Sequence, residues 1–238
     1  MERDIKVKIC GITTEEEAGW LSEQQVEYAG FVIWKNSKRF ITVERAKEIF
    51  TKLNPNIIKV AVTVSPDDAL VEEIEAAGFD ILQVHGTLTE KVIKMVHIPI
   101  WRAVNLSSIG QLQEIKTAFT GEDYPGAGKI TAVLADAKEY GSGKTFGWED
   151  FSSKEEAGQE QESLQRIFAE FRKLLKEQQI DFILAGGLTP DNVQKGMTIF
   201  APDILDVSSG VERETEDTTG TPGKDREKIR RFVQKVRM

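Results

Sequence analysis

Short apolar runs alternate with amphipathic stretches along this chain, and the alternation predicts its elements. Ile5 and Val7 are apolar at alternate positions, whereas residues 28–34 are apolar without interruption, as in a strand buried on both faces. Helical spacing places the following residues on one face of a helix over 164–178: Leu164, Ile167, Phe168, Phe171, Leu174 and Leu175. These two periodicities predict strands that alternate with helices.

Eight such strand–helix units follow one another without a break in composition. The predicted strands begin at residues 5, 28, 57, 80, 99, 129, 181 and 203. Eight units in 238 residues are typical of an α/β protein with a single-domain (β/α)8 TIM barrel, here spanning residues 1–238. Polar insertions are expected near 152–162 and 212–224. A doubly wound open sheet is the alternative, but no Gly-x-Gly-x-x-Gly motif follows the first strand.

Several predicted helices begin at recognisable capping residues. Thr13 and Thr14 each precede a glutamate by three positions, which predicts a capping box and a helix running to about residue 23. Ser65 stands before Pro66, and this pair predicts a second N-cap followed by proline at the first helical position. A helix over 107–119 and a glycine-rich turn over 121–128 are predicted before the sixth strand.

Composition narrows the classes of function. The net charge of −8 argues against a broad nucleic-acid surface, although a local basic pocket for a small anion is compatible with it. The N-terminus lacks the apolar core of a signal peptide, and no apolar run reaches the length of a membrane helix. One cysteine excludes an internal disulfide and favours the cytoplasm, and two histidines with that cysteine make a structural zinc site improbable.

Two candidate proton-transfer groups follow predicted strands. Cys10 precedes Gly11 at the end of the first strand, and Asp136 directly follows the apolar run 133–135. In a barrel both lie at the mouth formed by the strand carboxyl ends, where a thiolate and a carboxylic acid would make a base and acid pair. We expect burial to raise the pKa of Asp136, and Arg39 and the helix after Cys10 to lower that of the thiol. The simpler interpretations are a buried hydrophobic cysteine and a turn aspartate.

Small residues at the last two strand ends predict a phosphate site. Gly186 and Gly187 follow the seventh strand, and Ser208, Ser209 and Gly210 follow the eighth. Bare backbone N–H groups and hydroxyls in these two loops commonly bind phosphate in barrels of this kind. By contrast, the run 141–145 resembles a nucleotide-binding loop but lacks the first glycine of that motif, so ATP binding is rejected.

Three further polar residues lie at or near predicted strand ends. Arg39 is either a solvated loop residue or a bidentate partner for a substrate carboxylate. His85 fits a hydrogen-bonded structural role better than a catalytic one. Asp206 lies within the last predicted strand, on the way to the small-residue loop.

At these positions the sequence resembles the phosphoribosylanthranilate isomerase family of tryptophan biosynthesis. The matching segments, in chain order, are Lys8–Ile12, Gly30–Val32 with Ser37–Arg39, Gln83–Gly86, Asp136 with Gly141–Phe146, Ala185–Leu188 and Asp206–Glu212. The resemblance implies that Cys10 is the general base, Asp136 the general acid and Arg39 the partner of the anthranilate carboxylate. It also implies that Gly187 and 208–210 hold phosphate and that Asp206 lies beside the substrate, with His85 included among the substrate-binding residues.

The implied reaction is an Amadori rearrangement of a small phosphorylated substrate, with no metal and no organic cofactor. We expect a cytoplasmic monomer or homodimer that binds neither nucleic acid nor membrane. A related phosphoribosyl isomerase of histidine biosynthesis is one alternative, but that enzyme carries an aspartate where this chain has Cys10. Indole-glycerol-phosphate synthase would require a lysine acid at a strand end. A non-catalytic phosphate-ligand binder is the alternative outside enzymes, and the presence of both Cys10 and Asp136 argues against it.

Overall fold

The structure is a computed structural model that describes residues 4–105, 128–136, 159–214 and 222–238. The predicted helix over 107–119, residues 121–127 of the glycine-rich turn and the loop 141–145 lie outside these ranges. Residues 152–158 of the first expected insertion and residues 215–221 of the second also lie outside them.

Eight parallel strands close into a barrel in which each strand pairs with the next along the chain, and β1 pairs with β8. The strands are β1 Lys6–Cys10, β2 Tyr28–Val32, β3 Ile58–Val64, β4 Ile81–His85, β5 Ile100–Asn105, β6 Ile130–Asp136, β7 Asp181–Leu184 and β8 Ile204–Val207. The predicted barrel is therefore confirmed, and the open doubly wound sheet is excluded by the pairing of β1 with β8.

Helices lie between the strands in the described part of the chain. They are α1 Glu15–Gln24, α2 Val43–Phe50, α3 Asp68–Ala76, α4 Glu90–Met95, α5 Gln159–Glu177, α6 Val193–Phe200 and α7 Arg226–Arg237, with a short 3₁₀ turn over Ser209–Val211. No helix among these residues is both long enough and apolar enough to cross a membrane.

The start of α1 agrees with the predicted capping box, whereas the start of α3 does not agree with the prediction. Thr14 caps α1, and the Glu17 side chain accepts from the Thr14 backbone N–H in return. For α3 the cap is Asp67, whose carboxylate accepts from Leu70 N at 2.9 Å. Ser65 instead has a positive φ of 48°, and its hydroxyl accepts from Thr87 N at the mouth.

The first expected polar insertion needs correction at its end, whereas the second is described only at its two ends. Helix α5 begins at Gln159, so residues 159–162 belong to a helix rather than to a surface insertion. The two ends of the 212–224 segment are joined by an antiparallel bridge between Glu212 and Lys224, and the Lys224 side chain is fully buried. Lys224 is thus buried among polar partners, whereas Arg213 and Glu214 of the same segment are exposed, as expected of a polar loop.

Apolar side chains form two layers, one on each face of the barrel sheet. The larger layer lies between strands and helices and includes Val7, Ile9 and Phe171, whereas the smaller fills the barrel and includes Tyr28 and Trp101. Since side chains alternate along a strand, the inward series of β1 contains Lys8 and Cys10. The corresponding series of β4 contains Gln83 and His85, and that of β8 contains Asp206. These polar groups thus lie toward the carboxyl ends of the strands.

Candidate active site

Cys10 is the last residue of β1, and its side chain is buried with an exposed fraction of 8%. Gly30 lies beside it on β2, and the Gly30 carbonyl accepts from Gly11 N at 2.8 Å and Ile12 N at 3.0 Å. A Cβ at Gly30 would lie 3.0 Å from both Cys10 Sγ and Lys8 Cε. Glycine at this position therefore allows the thiol and the lysine side chain to lie side by side.

Lys8 forms a buried ion pair with Asp206, for which the family resemblance implies a position beside the substrate. The Nζ to Oδ2 distance is 2.8 Å, and Lys8 is fully buried. Burial opposes the charge of Lys8, but Asp206 and Cys10 outweigh it and raise the pKa of Lys8. The second carboxylate oxygen of Asp206, Oδ1, is buried without a hydrogen-bond partner among the described residues, which leaves it able to accept a substrate hydroxyl.

The expectation that the pKa of the Cys10 thiol is lowered is wrong, although Arg39 acts in the expected direction. Burial raises this pKa, and the opposing effects of Lys8, Lys224 and Arg39 do not overcome it. Desolvation dominates because the thiol lies inside the barrel mouth and not at its rim. Formation of the thiolate at neutral pH is therefore unfavourable, although three cations are close enough to favour it.

His85 ends β4 as a buried, neutral side chain. Its Nε2 lies 2.9 Å from Gln83 Nε2 within the barrel. Burial, with the charges of Lys8 and Arg102, lowers the pKa of His85 to about 3, so the ring is uncharged at neutral pH. This environment matches the structural role that the sequence favoured, and a neutral imidazole at the mouth is also suited to hydrogen bonding with a ligand.

Arg39 contacts Glu212, a residue to which the sequence gave no role. Arg39 Nε and Nη2 donate to the two Glu212 oxygens at 2.5 and 3.0 Å in a bidentate pair. The arginine stem passes so close to Gly11 that a Cβ there would lie 2.6 Å from Arg39 Cδ. Gly11 has a φ of +82°, so the turn after β1 uses glycine both for its conformation and for this contact.

Lys224 is the second residue that the sequence missed. Its Nζ donates to Glu212 Oε1 at 2.8 Å and to the Ser208 carbonyl at 3.2 Å. Burial opposes ionisation of Glu212, but the hydrogen bonds of Arg39 and the charge of Lys224 outweigh it and lower the pKa of Glu212. Burial also lowers the pKa of Lys224 itself, despite Glu212. The only signal in the sequence was a lysine beside glycine in a polar stretch, which is typical of any loop.

The small-residue loops after β7 and β8 lie against each other. Gly186 and Gly187 have φ values of +82° and +67°, and Asn192 donates to the Gly187 carbonyl at 2.8 Å. Gly210 lies so close to Leu188 that an added Cβ would overlap the Leu188 carbonyl oxygen. The structure thus brings the two predicted phosphate loops together, with glycine required at their contact.

One element of the phosphate prediction changes in detail. The Ser208 hydroxyl donates to the Cys10 carbonyl at 2.9 Å and accepts from Lys224 Nζ at 3.3 Å. Its proton is therefore committed to the protein backbone. The groups left for an anion in this loop are the backbone N–H groups and the Ser209 hydroxyl.

Asp136 is the last residue of β6 and pairs in register with Asn105 of β5. The Asp136 side chain lies outside the described part of the structure. Its strand position places it at the same barrel end as Cys10, which is likewise the last residue of its strand. Among the described residues, no three His, Cys, Asp or Glu side chains form a metal-ligating group.

The fold is a closed parallel barrel whose mouth holds a buried thiol, three cationic side chains and two adjoining glycine loops. These features together are those of a (β/α)8-barrel enzyme for an anionic substrate. The sequence profile of N-(5'-phosphoribosyl)anthranilate isomerase matches residues 7–235. The chain belongs to the N-(5'-phosphoribosyl)anthranilate isomerase family, and the isomerase class and the tryptophan pathway expected from the resemblance are confirmed.

Relatives and solved structures agree over nearly the whole chain. The isomerase of Streptococcus mutans is 36% identical and that of Clostridium beijerinckii 33% identical, with 98% of this chain covered in both and 98% and 97% of those proteins. The Thermus thermophilus enzyme superposes with a TM-score of 0.72 at 27% identity, and the Thermotoga maritima enzyme, described as dimeric, with 0.70 at 26%. Both alignments cover 98% of each chain.

Proposed function

We propose that Cys10 and Asp136 carry out the Amadori rearrangement of N-(5'-phosphoribosyl)anthranilate to 1-(o-carboxyphenylamino)-1-deoxyribulose 5-phosphate. The observation that carries this assignment is that each residue ends its strand at the same mouth of the barrel. Position 136 also follows the interior residues Ala132 and Leu134 at intervals of two, the spacing of one strand face.

The proton transfers follow from these two groups. Asp136, as a carboxylic acid, protonates the ribose ring oxygen, and the C1'–O bond breaks to give an open-chain Schiff base. The Cys10 thiolate then removes the C2' proton, whose bonding electrons form the C1'–C2' double bond of an enolamine. Reprotonation at C1' with loss of the enol proton gives the ketone. The rearrangement consumes no oxidant or reductant, so the reaction as written requires no cofactor.

Arg39 is proposed to hold the anthranilate carboxylate. Its Nε and Nη2 are occupied by Glu212, but Nη1 makes no hydrogen bond to any described residue. The guanidinium is largely buried at 15% side-chain exposure, where a charge-assisted hydrogen bond is stronger than in water. This arrangement supports a fixed arginine with one edge available to the substrate.

The remaining substrate groups have matching partners. Backbone N–H groups of Gly186, Gly187 and 208–210 are proposed to bind the phosphate, because their loops lie together and carry no bulky side chains. Asp206 Oδ1 and the neutral His85 ring are proposed to contact the ribose hydroxyls.

Assembly and location stay predictions for this chain. We propose a monomer or homodimer, and the dimeric Thermotoga maritima relative supports the second form. A cytoplasmic location rests on the single cysteine, and the absence of nucleic-acid binding rests on the net charge of −8.

The assignment is tested with Cys10→Ser and Asp136→Asn, measured by turnover of phosphoribosylanthranilate through loss of its fluorescence. Each variant should lose roughly 100-fold or more in kcat, because a positioned acid or base contributes about that much. Circular dichroism and binding of a product analogue should stay close to wild type.

Asp80→Asn is a matched control, since Asp80 precedes β4 at the opposite end of the barrel, where it accepts from Lys59 N. It should leave turnover unchanged. Near-normal turnover in either mouth variant would overturn the role of that residue.

A further inference from the structure

Lys224 occupies a position between the two proposed anion-binding parts of the mouth. It is fully buried, and its ammonium contacts Ser208 on the phosphate side and Glu212 on the carboxylate side. Ser208 then contacts the Cys10 carbonyl through its hydroxyl, and Glu212 contacts Arg39 through both oxygens. One lysine therefore links the phosphate loop, the strand end that carries the thiol, and the guanidinium.

The backbone of Lys224 is itself anchored to the start of α1. Lys224 N donates to Glu17 Oε1 at 2.6 Å, and the other Glu17 oxygen, Oε2, accepts from Thr13 N at 2.7 Å and from Thr14 N at 3.2 Å. Glu17 is buried, so both of its oxygens are used inside the fold. The capping box thus holds Lys224 at a fixed place relative to the turn that follows Cys10.

Packing alone does not explain why Lys224, with an ammonium group on a long flexible side chain, is buried at this position. Its burial is unfavourable unless its hydrogen bonds are made, and here each partner belongs to a segment that the proposed mechanism requires to be in place. Lys224 contacts both the Ser208 carbonyl and Glu212, which holds Arg39, so it is one contact that the two segments share.

We propose that Lys224 is a positioning residue that fixes the spacing between the phosphate loop and Arg39, so that one substrate engages both. The inference rests on the proposed function, because it takes Arg39 as the partner of the ring carboxylate. Lys224 acts through Ser208 and Glu212 and does not itself touch the reacting atoms.

Lys129, which is only partly buried, provides a control for the loss of a hydrogen-bonded ammonium. It precedes β6 at the other end of the barrel, and its Nζ donates to the carbonyls of Ile93, Lys94 and Val96 at the end of α4. Lys129→Met and Lys224→Met each remove a hydrogen-bonded ammonium of the same size, but only Lys224→Met removes one from the mouth.

The two variants are compared in KM and kcat for phosphoribosylanthranilate, in competitive inhibition by inorganic phosphate, and in selectivity against the glycosylamine of ribose 5-phosphate and aniline, which lacks the carboxylate. Lys224→Met should raise KM about tenfold or more, weaken phosphate inhibition and reduce carboxylate selectivity, each by several-fold, while kcat falls much less. Lys129→Met should lose stability without these changes. Equal effects of the two variants, or a change on only one side of the mouth, would overturn the proposal.

A second measurement applies if Lys224→Met does not fold. In the cycle of Ser208→Ala and Glu212→Gln, the losses in kcat/KM should be non-additive, because both act through the same ammonium. Additive losses would overturn the positioning role. Arg39→Met separates this result from the proposed function: if it leaves carboxylate selectivity unchanged, the role of Arg39 is wrong, whatever Lys224 does.

Discussion

At the scale of single residues, the mouth of the barrel depends on charges held in pairs inside an apolar wall. Lys8 has no exposed side-chain surface, and its partner Asp206 has 8%. A buried ion pair adds little net stability when compared with apolar residues, but loss of one partner leaves the other buried and uncompensated. Lys8 and Cys10 both lie against Gly30. A change in this ion pair therefore affects both the free energy of unfolding and the charges around the thiol.

Lys8→Met should therefore lower the free energy of unfolding by about 3–5 kcal/mol, because Asp206 loses its partner in the barrel interior. Lys8→Met combined with Asp206→Asn should recover much of this loss, since no unpaired charge remains. Urea denaturation measures both variants.

Lys94→Met serves as the control, because Lys94 is 70% exposed and pairs with Glu90 one helical turn away, so its loss should be small. If Lys8→Met were as mild as Lys94→Met, the pair would not be an energetic feature of the mouth.

At the scale of elements, the important contact is that between the loops after β7 and β8. Gly210 lies directly against the Leu188 carbonyl, and Ser208 in the same loop is held by Cys10 and Lys224. A loop fixed on both sides presents its backbone N–H groups in one arrangement, and such preorganisation is what an anion site requires.

Gly210→Ala should lower the free energy of unfolding by about 1–3 kcal/mol, because the new methyl group forces the two loops apart. Inhibition by inorganic phosphate should weaken at the same time. Gly19→Ala is the opposite case: Gly19 lies inside α1 with no heavy atom within 4 Å of an added Cβ.

The control variant Gly19→Ala should stabilise the protein by about 0.5–1 kcal/mol, since glycine is unfavourable within a helix. Inhibition by inorganic phosphate should stay unchanged in this variant. The account of the loop contact fails if Gly210→Ala keeps wild-type stability and wild-type phosphate inhibition.

At the scale of the whole molecule, the sequence predicted the features that depend on residues close together in the chain, such as the positions of the strands. The starts of the eight strands lie within one residue of the predicted positions because runs buried on both faces are distinctive in an α/β chain. The cap at Ser65 was wrong because two capping residues compete there, and the hydroxyl of Ser65 is used by Thr87 instead.

Long-range networks were beyond the reach of the sequence. Lys224 and Glu17 are separated by 207 positions, and Arg39 and Glu212 by 173. In the sequence a lysine and a glutamate in a polar stretch look the same whether they are solvated or buried. The raised pKa of Cys10 was missed for a similar reason: the nearby cations were foreseeable, but the degree of burial that outweighs them was not. We propose that residues 1–238 form one domain, as the closure of β1 on β8 supports.

The central claim is that Cys10 and Asp136 act together as base and acid, and the pH dependence of kcat/KM tests it most directly. The active form carries one proton, on Asp136, while Cys10 is ionised. Protonation of Cys10 abolishes activity at low pH, and loss of the proton from Asp136 abolishes activity at high pH. Because burial raises the pKa of Cys10, the alkaline limb should report the thiol and lie above its ordinary value of about 8.5.

The profile is measured for the wild type, for Cys10→Ser and for Asp136→Asn with phosphoribosylanthranilate as substrate. The account predicts a bell for the wild type. Asp136→Asn should lose the fall at high pH, because no acid remains to be deprotonated, and its activity should rise toward the pKa of the thiol. The residual activity of Cys10→Ser no longer depends on a thiolate, so it should lose the rise at low pH and fall as Asp136 loses its proton. A fall at high pH that is unchanged in Asp136→Asn, or a rise at low pH that is unchanged in Cys10→Ser, would contradict it.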